Sequence, residues 1–557
     1  MTTVRIAVIG VGPRGLSVLE RVVSHARLDG PPIELLLIEP GELGVGIHRV
    51  KQPDYLLLNT IASQLTIFSD ERMTPGAPVT RGPSFFQWCG ERKHQVRFDD
   101  FLPRRLLGEY LQWAAGELRE RAPERLTVQH LPATAVAVRQ DAAGALVTLA
   151  DGTEHRADLA VVTTGHGLAL RPPAVADGMV SVPYPLPDQA DLVPDAATVA
   201  VLGTGLTAMD LIAALTVGRG GEFREDGYLP SGREPHIVLA NRTGRLPCAR
   251  PATTAQRRPA PAVHLTPEAV AALRERTEDG LLDFRRDVEP LVHREALGRM
   301  AGASAAEVET VERLLRSDPQ RAESYPHYVR TVVEQARADL AEAERGLGAS
   351  VVKEALEILR DHRESLRAAV DPPGLTAESH RYFMAEYVPL VNRTVIGPQK
   401  ERIHELLQLI DAGVVVPGPG PSPRLTRRDG GWTLSSTALD RPHRVEVDLL
   451  LRANLDWPLV DDELDPIAGS LRGWAASGPG GALRLDRDGF VVPADGAGAV
   501  RAVAVFGPPA EGASYYNHYV PSPGVWSRAL TDLDRALTPV LGTGRAVGTP
   551  GRDPRSR

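Results

Sequence analysis

Short apolar runs that lead into glycine-rich turns recur along this 557-residue chain. The first is VRIAVIGVGPRGLSVLE at residues 4–20, and the second is VAVLGTGLTAMDLIAAL at residues 199–215. Continuous apolar strands are typical of a parallel sheet that is covered on both faces. The pattern therefore predicts two strand–turn–helix units, the first with a strand at Val4–Ile9 and a helix at Leu16–His25.

The apolar pattern changes character further along the chain. Strand-like runs such as IELLLIEP, LTVQHLPATAVAVRQ and DLAVVTTGHG follow the first unit. From about 255 to 390 the pattern becomes helical and charged, as in SYPHYVRTVVEQARADLAEAERGL, and strand-like patterning returns in RVEVDLLLRANLD and AVRAVAVFGPP. We expect an α/β protein with two Rossmann-like domains and an α-helical insertion, which is a candidate lid or dimer surface.

Composition limits the class of protein. A hydrophobic content of 43% is ordinary for a globular protein, and a net charge of −8 gives no nucleic-acid-binding footprint. No apolar run approaches the ~18 residues that span a bilayer, and no signal peptide precedes the first strand. Cys89 and Cys248 form no CxxC pair, and no cluster has metal-ligand spacing. We expect a cytoplasmic protein with no metal, no nucleic-acid partner and no membrane partner.

The first glycine turn carries the dinucleotide-binding pattern GxGxxG between a strand and a helix. In this pattern one glycine makes the turn, one lets the backbone approach a pyrophosphate, and one lets the helix pack closely on the strand. Glu39 ends the next strand, where an acid binds ribose hydroxyls and would repel a 2′-phosphate. The unit therefore predicts an FAD site. Its candidate ligands are Gly10, Gly12, Pro13, Arg14, Gly15 and Glu39.

The second glycine turn has Ala208 where the third glycine of the pattern usually lies, a substitution that the pattern permits. The following strand ends in NRTGRLP, which holds two arginines and no acid. A guanidinium binds phosphate in bidentate fashion, so this unit predicts an NADPH site. Its candidate ligands are Gly203, Gly205, Thr207, Arg242 and Arg245. Two such sites on one chain indicate hydride transfer from a nicotinamide to a bound flavin.

These assignments divide the chain into predicted domains. We expect the first part of an FAD-binding domain at 1–195 and an NADP-binding domain at 196–455, with the helical insertion inside the latter. Residues 456–540 are expected to complete the FAD-binding domain and to close the flavin and substrate site. The Gly-, Arg- and Pro-rich segment 541–557 is predicted to be a disordered tail.

The order of motifs resembles the flavin-dependent N-hydroxylating monooxygenases. GxGPRG and the acid are followed by LLLNTIASQLTIFSD, PSFFQWC, PRRLLGEYLQWA, VVTTGHG and GTGLTAMD, over most of residues 1–215 and 390–530. The chain is more similar still to an actinobacterial branch that includes nitrosuccinate-forming aspartate monooxygenases. The resemblance implies that NADPH reduces FAD, that O2 adds at the flavin C4a carbon, and that an amine takes oxygen from the hydroperoxide, in natural product biosynthesis.

The resemblance also implies site residues. VVTTGHG resembles the crossing between the domains of such flavoproteins, which makes Thr164 and Gly165 candidate cofactor contacts. Asn59 and Gln64 are implied on the flavin side, or are polar residues of a turn and a strand. Two later glycines would let the backbone approach the flavin, and they are Gly507 and Gly512.

Two groups of side chains are candidates for the substrate. Arg104 and Arg105 open a predicted helix and would clamp a substrate carboxylate or a cofactor phosphate, or are solvated surface arginines. The polar and aromatic residues that would line the pocket, or else pack a C-terminal loop, are Tyr515, Tyr516, Asn517 and His518. The residues interpreted as structural or incidental are His48, His166 and Cys248.

The expected function is that of an NADPH- and O2-dependent monooxygenase that oxidises the amine of an amino acid or a small amine. Two alternatives stay open at this point. One is an FAD-dependent NAD(P)H reductase or oxidase that inserts no oxygen. The other is a flavin-binding regulatory or scaffold protein whose insertion docks a partner. A homo-oligomer that forms through the insertion is compatible with each of these functions.

Overall fold

The computed structural model describes residues 2–166, 174–454, 465–496 and 500–542, and within these the chain forms two compact units. The first unit comprises the described residues within the ranges Met1–Lys51, Thr60–Leu170 and Asp456–Arg557. The second unit comprises the described residues within the ranges Gln52–Asn59 and Arg171–Leu455. Each unit has its own β-sheet of mainly parallel strands, and each is described by itself.

The strands of the described residues are β1 Val4–Ile9, β2 Ile33–Ile38, β3 Leu126–Leu131, β4 Ala135–Asp141, β5 Gly144–Leu149, β6 Glu154–Ala157, β7 Leu159–Val162, β8 Val175–Ala176, β9 Met179–Val180, β10 Thr198–Leu202, β11 Glu222–Arg224, β12 Gly227–Leu229, β13 His236–Ala240, β14 Val415–Pro417, β15 Arg424–Arg428, β16 Gly431–Ser436, β17 His443–Val447, β18 Leu449–Arg452 and β19 Val503–Val505.

The α-helices of the described residues are α1 Pro13–His25, α2 Phe85–Glu91, α3 Arg104–Glu120, α4 Leu206–Leu215, α5 Pro267–Arg274, α6 Glu289–Gly298, α7 Ala305–Leu314, α8 Tyr325–Arg345, α9 Val351–Asp361, α10 Arg363–Val370, α11 Ala377–Tyr382, α12 Val388–Thr394, α13 Lys400–Asp411, α14 Pro466–Arg472 and α15 Arg528–Leu541. No helix in this part of the chain is long and apolar enough to cross a membrane.

The sheet of the first unit has the strand order β19-β7-β1-β2-β3, and every neighbouring pair is parallel. The apolar runs form its interior strands because both faces are covered, so that Ile6, Ala7 and Val8 have no exposed surface. The register pairs Ile9 with both Ile38 and Val162. These strands therefore end together, and the turns that follow them gather at one edge of the sheet.

A fully buried ion network joins α1 to α15 in the first unit. Arg21 donates to Glu20 and to Asp534, and the three side chains have no exposed surface. Burial alone lowers the pKa of Arg21, but the two carboxylates together raise it above its ordinary value. Loss of one partner would leave a buried charge uncompensated. The network therefore fixes the helix that begins at the first glycine turn.

The sheet of the second unit has the strand order β14-β13-β10-β18-β9-β8. Its pairs are parallel except for β8 with β9, which is antiparallel. The register pairs Leu202 with both Ala240 and Arg452. The glycine turn after β10 and the loop after β13 therefore lie at the same edge of this sheet.

The predicted helical insertion folds as part of the second unit. It lies between β13 and β14, where the chain forms α5 to α13. One face of α8 is buried at intervals of four residues, and its members are Tyr328, Val332, Ala336 and Leu340. Ala336 and Leu340 share a core cluster with Ile403 and Leu406 of α13. The insertion is thus anchored in the core that also surrounds β10 and α4.

Two segments lie in a different unit from the one expected. The sequence analysis places residues 52–59 and 171–195 in the FAD-binding domain, whereas both belong to the second unit. The reason is apolar burial, since Leu56, Leu186 and Val193 are buried in the core cluster around α4. The predicted tail overlaps the described residues only at its start, where α15 ends at Leu541, and residues 543–557 lie outside them.

Candidate functional site

The first glycine turn is closely packed. Gly10 has a φ of +82°, and a Cβ atom there would lie 2.7 Å from Thr164 Cα. A Cβ on Gly15 would lie 2.4 Å from Gly10 O. Helix α1 begins at Pro13 with Gly12 as its N-cap residue, which leaves unpaired N–H groups at the turn. This geometry matches the roles predicted for the glycines and suits a pyrophosphate.

Glu39 fixes this turn from the end of β2. Its Oε2 accepts from Val11 N at 2.8 Å, and its Oε1 accepts from Gly41 N at 3.2 Å. A carboxylate has more acceptor positions than these two bonds use. Glu39 can therefore hold the turn and also accept from ribose hydroxyls, and its charge disfavours a 2′-phosphate at this place.

The end of β7 lies against the same turn. Thr163 Oγ1 donates to Gly10 O at 2.5 Å. Thr164 Oγ1 is buried without a hydrogen-bond partner among the described residues. Gly165 has a φ of +72°, and a Cβ there would meet nothing within 4 Å. The structure thus brings Thr164 and Gly165 to the glycine turn, and the buried Thr164 hydroxyl is a donor that a bound cofactor could use.

Arg14 joins the turn to the C-terminal segment of the first unit. Its Nη2 donates to Asn517 O and to Tyr519 O, both at 3.2 Å, and its guanidinium lies 5.4 Å from the centre of the Tyr519 ring. Gly507 has a φ of +77°, and a Cβ there would lie 3.1 Å from Arg14 Cγ. A Cβ on Gly512 would lie 3.0 Å from Ala482 Cβ. Both glycines are therefore required by packing within the protein itself.

Glu511 organises the polar–aromatic segment, although the sequence analysis did not single it out. Its buried carboxylate accepts from Tyr516 N at 2.9 Å, from Asn517 N at 2.8 Å and from Asn517 Nδ2 at 3.0 Å. Tyr516 has a φ of +60°, a conformation that is uncommon for a bulky residue. Tyr515 is buried and packs edge-on against Tyr516. The signal for this role is that Glu511 is the one acidic residue in the sequence of this segment, residues 506–526.

His518 stacks on His166, which the sequence analysis had interpreted as structural or incidental. The ring centroids are 5.2 Å apart and the planes differ by 12°. His518 Nε2 lies 3.2 Å from a Glu511 oxygen. Burial, with the charge of Arg14, lowers the pKa of His518 to about 4, and burial next to His518 lowers the pKa of His166 to about 3. Both rings are therefore neutral at physiological pH.

Asn59 and Gln64 lie in different units. Gln64 ends a short 3-10 turn of the first unit, and its carbonyl oxygen accepts from Ser522 Oγ at 2.9 Å. Asn59 belongs to the second unit, where the preceding Leu58 O accepts from Gln399 Nε2. Gln64 therefore lies beside the C-terminal segment of its own unit, and Asn59 follows a residue that is bonded within the second unit.

Arg104 and Arg105 are the first two residues of α3. Arg105 Nη1 donates to Glu109 Oε1 at 2.9 Å, one turn along the helix. Burial and the nearby charge of Arg104 together lower the pKa of His48 to about 3. Arg104 is thus the member of the pair that faces a buried neutral ring, and Arg105 is engaged within its own helix.

The second glycine turn is more open than the first. Gly203 has a φ of +124°, and a Cβ there would lie 3.1 Å from Ala453 O. Gly205 is the N-cap residue of α4, and a Cβ on it would meet nothing within 4 Å. Thr207 lies in the first turn of α4, and Ala208 behind it is fully buried. The helix start again leaves N–H groups for a pyrophosphate.

Asn241 fastens the loop after β13 to this second turn. Its Nδ2 donates to Thr204 Oγ1 at 3.1 Å and to Arg245 O at 2.9 Å, while its Oδ1 accepts from Gly244 N at 2.6 Å. Arg242 is paired with Glu386, and Arg245 Nε donates to Asp318 O at 3.2 Å. The structure thus places both predicted arginines on a loop that is bonded to the glycine turn.

Two parallel sheets, each with a glycine turn at its carboxyl edge, define a protein with two dinucleotide-binding folds, and the described residues contain no cluster that could hold a metal ion. A family model described as FAD-NAD(P)-binding matches residues 7–167. These residues contain the first glycine turn, Glu39 and Thr164. The class is therefore that of the FAD/NAD(P)-binding proteins.

Comparison with curated proteins narrows this class. The chain is 32% identical to the nitrosuccinate-forming L-aspartate N-monooxygenase of Streptomyces davaonensis, over 96% of this chain and 97% of that protein. It is 30% identical to the enzyme of the same name from Streptomyces cremeus, over 95% and 93%. It is 29% identical to the nitrosuccinic acid synthase of Aspergillus oryzae, over 97% and 93%.

The chain belongs to the family of nitrosuccinate-forming L-aspartate N-monooxygenases. It is a flavin-dependent N-monooxygenase that uses FAD and NADPH. The predicted fold class, the family resemblance, the cofactors and the interpretation as an amine-oxidising enzyme are confirmed. The residue assignments stay predictions.

Proposed function

We propose that this chain oxidises the amine nitrogen of L-aspartate to give nitrosuccinate, with NADPH and O2 as co-substrates. The observation that carries the proposal is the similarity to three relatives named for this activity or product, each over at least 95% of this chain.

The first glycine turn is the proposed FAD site. FAD when bound supplies the activation of O2, using electrons from NADPH. The chain's own contribution is the N–H groups at the start of α1 for the pyrophosphate, the Glu39 carboxylate for the ribose and the buried Thr164 hydroxyl as a further donor. These groups fit an adenosine whose 2′-hydroxyl is free. The second glycine turn is the proposed NADPH site.

Aspartate brings two carboxylates, so its site needs cations and must leave the amine unprotonated to act as a nucleophile. Arg104 is the proposed carboxylate ligand because it lies at the start of α3 beside the neutral ring of His48. His166 and His518 add hydrogen-bonding capacity without positive charge, since the pKa of each is lowered to about 3 and about 4. A neutral imidazole does not repel an incoming ammonium group and can accept a hydrogen bond from it.

The test is product formation from a panel of amines under ¹⁸O-labelled O2. The purified holoenzyme is incubated with NADPH and with aspartate, glutamate, asparagine, ornithine or lysine, and products are weighed by mass spectrometry. We expect labelled oxygen on the nitrogen of aspartate, and little product from ornithine or lysine, which lack the second carboxylate. Hydrogen peroxide as the sole oxygen product with every amine would instead support the reductase or oxidase alternative.

Arg104→Ala and Arg105→Ala form a matched pair for this test. Arg104→Ala is expected to raise KM for aspartate about 10-fold or more with a smaller change in kcat, as expected for loss of a charge-assisted bond used in the ground state and the transition state alike. Arg105→Ala should change KM little, because Arg105 is engaged with Glu109. An equal effect of both substitutions would contradict the assigned role of Arg104.

A further inference from the structure

Three arginines lie close enough to interact electrostatically beside the loop that is bonded to the second glycine turn. Arg245 belongs to that loop, Arg313 lies in the last turn of α7, and Arg393 lies in the last turn of α12. Two of the three therefore come from the helical insertion. We name them the arginine cluster.

The carboxylates near the arginine cluster are Asp318 beside Arg245 and Asp339 beside Arg393, and neither forms an ion pair with the cluster in the described part of the chain. Burial, together with the charges of Arg393 and Arg313, lowers the pKa of Arg245 to about 10, and the opposing charge of Asp318 is a smaller contribution. Arg245 Nη1 is buried with no hydrogen-bond partner among the described residues. None of the three forms an ion pair with a carboxylate within the described part of the chain.

Some other buried or half-buried cations of the insertion are neutralised by carboxylates, whereas the half-buried Arg274 donates to backbone carbonyls. Lys353 Nζ lies 2.7 Å from Asp339 Oδ1. Arg257 bonds to both Glu354 and Asp361, at 3.0 Å and 2.6 Å. Arg242, which lies three residues before Arg245, is paired with Glu386. Unlike these ion-paired side chains, the members of the arginine cluster have the charge to receive an anion.

The insertion is also bonded to the loop that carries Arg245. Tyr328 Oη of α8 donates to Gly244 O at 2.9 Å, and Gln320 N donates to Thr243 O at 2.7 Å. On its other side the loop is held by Asn241, which reaches Thr204 between the two glycines of the turn. The arginine cluster is thus connected to the pyrophosphate-binding turn through directly bonded residues of one unit.

We propose that the helical insertion completes the nicotinamide nucleotide site, with Arg313 and Arg393 joining Arg245 to bind the 2′-phosphate of NADPH. A phosphate monoester carries up to two negative charges and accepts several hydrogen bonds, so it satisfies guanidinium groups that otherwise repel one another. In this arrangement Arg242 contributes less than its position in the sequence suggests, because Glu386 already holds it. The insertion then determines cofactor choice, independently of which amine is oxidised.

A purely structural role for the arginine cluster makes a different prediction. Arg393 Nη2 donates to Leu314 O at 3.3 Å and to Arg316 O at 3.1 Å, which satisfies carbonyl groups at the end of α7. If these contacts were the whole function, substitutions would weaken both nicotinamide nucleotides equally through loss of loop order. Phosphate recognition affects only the nucleotide that carries the 2′-phosphate.

The test is calorimetric binding of NADP+, NAD+, 2′,5′-ADP and 5′-AMP to the FAD-loaded full chain, with no amine substrate present. Arg245→Gln is expected to weaken NADP+ and 2′,5′-ADP about 10-fold or more, and Arg313→Gln and Arg393→Gln about 3- to 10-fold each. NAD+ and 5′-AMP affinities should change less than about twofold. Arg245→Lys should recover part of the loss, since it restores charge without the fork geometry.

Arg337→Gln is the matched control, because this exposed arginine of the same unit pairs with Asp411 and lies outside the arginine cluster. It should leave all four affinities unchanged. Equal weakening of NADP+ and NAD+ by the three cluster variants would overturn the proposal, as would unchanged NADP+ affinity in Arg313→Gln and Arg393→Gln with loss only in Arg242→Gln. Since no amine is added, these outcomes do not depend on whether aspartate is the substrate.

Discussion

The first and second glycine turns share a backbone pattern but differ in the charge beside them. In the first, the Glu39 carboxylate accepts from Val11 N within the turn. In the second, the neutral Asn241 amide donates to Thr204 Oγ1, and arginines follow on the same loop. The comparison leads us to expect that the glycine turn supplies general pyrophosphate recognition, while the residue at the end of the next strand selects the ribose.

The two turns also differ in how tightly helix and strand approach. At the third position of the pattern, a Cβ on Gly15 would lie 2.4 Å from Gly10 O, whereas Ala208 is accommodated with no exposed surface. At the second position, a Cβ on Gly12 would lie 3.3 Å from Gly46 Cα, whereas one on Gly205 would meet nothing within 4 Å. The first turn is therefore the less tolerant of side chains.

The largest effect is expected from Gly15→Ala, with Ala208→Gly as the matched change in the second turn. The added methyl must displace the Gly10 carbonyl, so we expect loss of flavin binding and a colourless protein. Gly12→Val should also abolish flavin binding, by filling the place of the pyrophosphate. Ala208→Gly should keep the flavin and cost about 0.5–1 kcal/mol of stability. Flavin absorbance per chain measures this, and full occupancy in Gly15→Ala would contradict the assignment of the first turn to FAD.

The next effect is the choice between nicotinamide nucleotides in the unmodified protein. We expect NADPH to reduce the flavin about 10- to 150-fold more efficiently than NADH, because charge-assisted bonds to the 2′-phosphate contribute roughly 1.5–3 kcal/mol. Stopped-flow reduction under anaerobic conditions measures both rates. Equal efficiencies with NADPH and NADH would contradict the proposal that the charge beside the second turn selects the 2′-phosphate.

A smaller, pH-dependent effect is expected from the neutral rings beside the first turn. The pKa values of His166 and His518 are about 3 and about 4, below the ordinary value of 6.5, so the unfolded chain binds protons that the folded chain does not. Stability should therefore fall as pH drops from about 6.5 towards 4, by up to about 1.4 kcal/mol per pH unit for each ring.

His166→Asn and His518→Asn should each flatten this dependence when the midpoint of thermal flavin release is followed against pH. Glu511→Gln removes the carboxylate that contacts His518, and it therefore shows how much of the pH dependence comes from Glu511 rather than from the histidines. A slope that persists in both histidine variants would assign the acid sensitivity to other groups.

The smallest effect is expected from Glu39→Gln. The amide oxygen can still accept from the Val11 N–H, whereas the negative charge and the weaker bond from the Gly41 N–H are lost. We expect FAD affinity to fall about fivefold, with NADP+ affinity at the second turn unchanged. Equilibrium binding of FAD to the flavin-free protein measures this. A gain in affinity for a 2′-phosphorylated nucleotide at the first turn would support the role of the Glu39 charge in disfavouring a 2′-phosphate there.

Local pattern determined a large part of the fold. The apolar run and the glycine turn placed β1 at Val4–Ile9 as observed, because burial on both faces and the need for a positive φ are set by neighbouring residues. The helix begins at Pro13 rather than at Leu16, since the fixed φ of proline suits the first turn of a helix. The position of Glu39 at the end of the second strand was also predictable from local pattern, because this acid directly follows an apolar run.

The sequence by itself determined the two dinucleotide units, the helical character of the insertion and the family, since each rests on short-range periodicity or on motif order. Tertiary structure alone decided that Arg14 bonds to Asn517, 503 residues away, that His166 stacks on His518, and that Arg242 pairs with Glu386. Such pairings depend on which distant segments the sheets bring to one edge. Burial and charge compensation then select partners that no local spacing encodes.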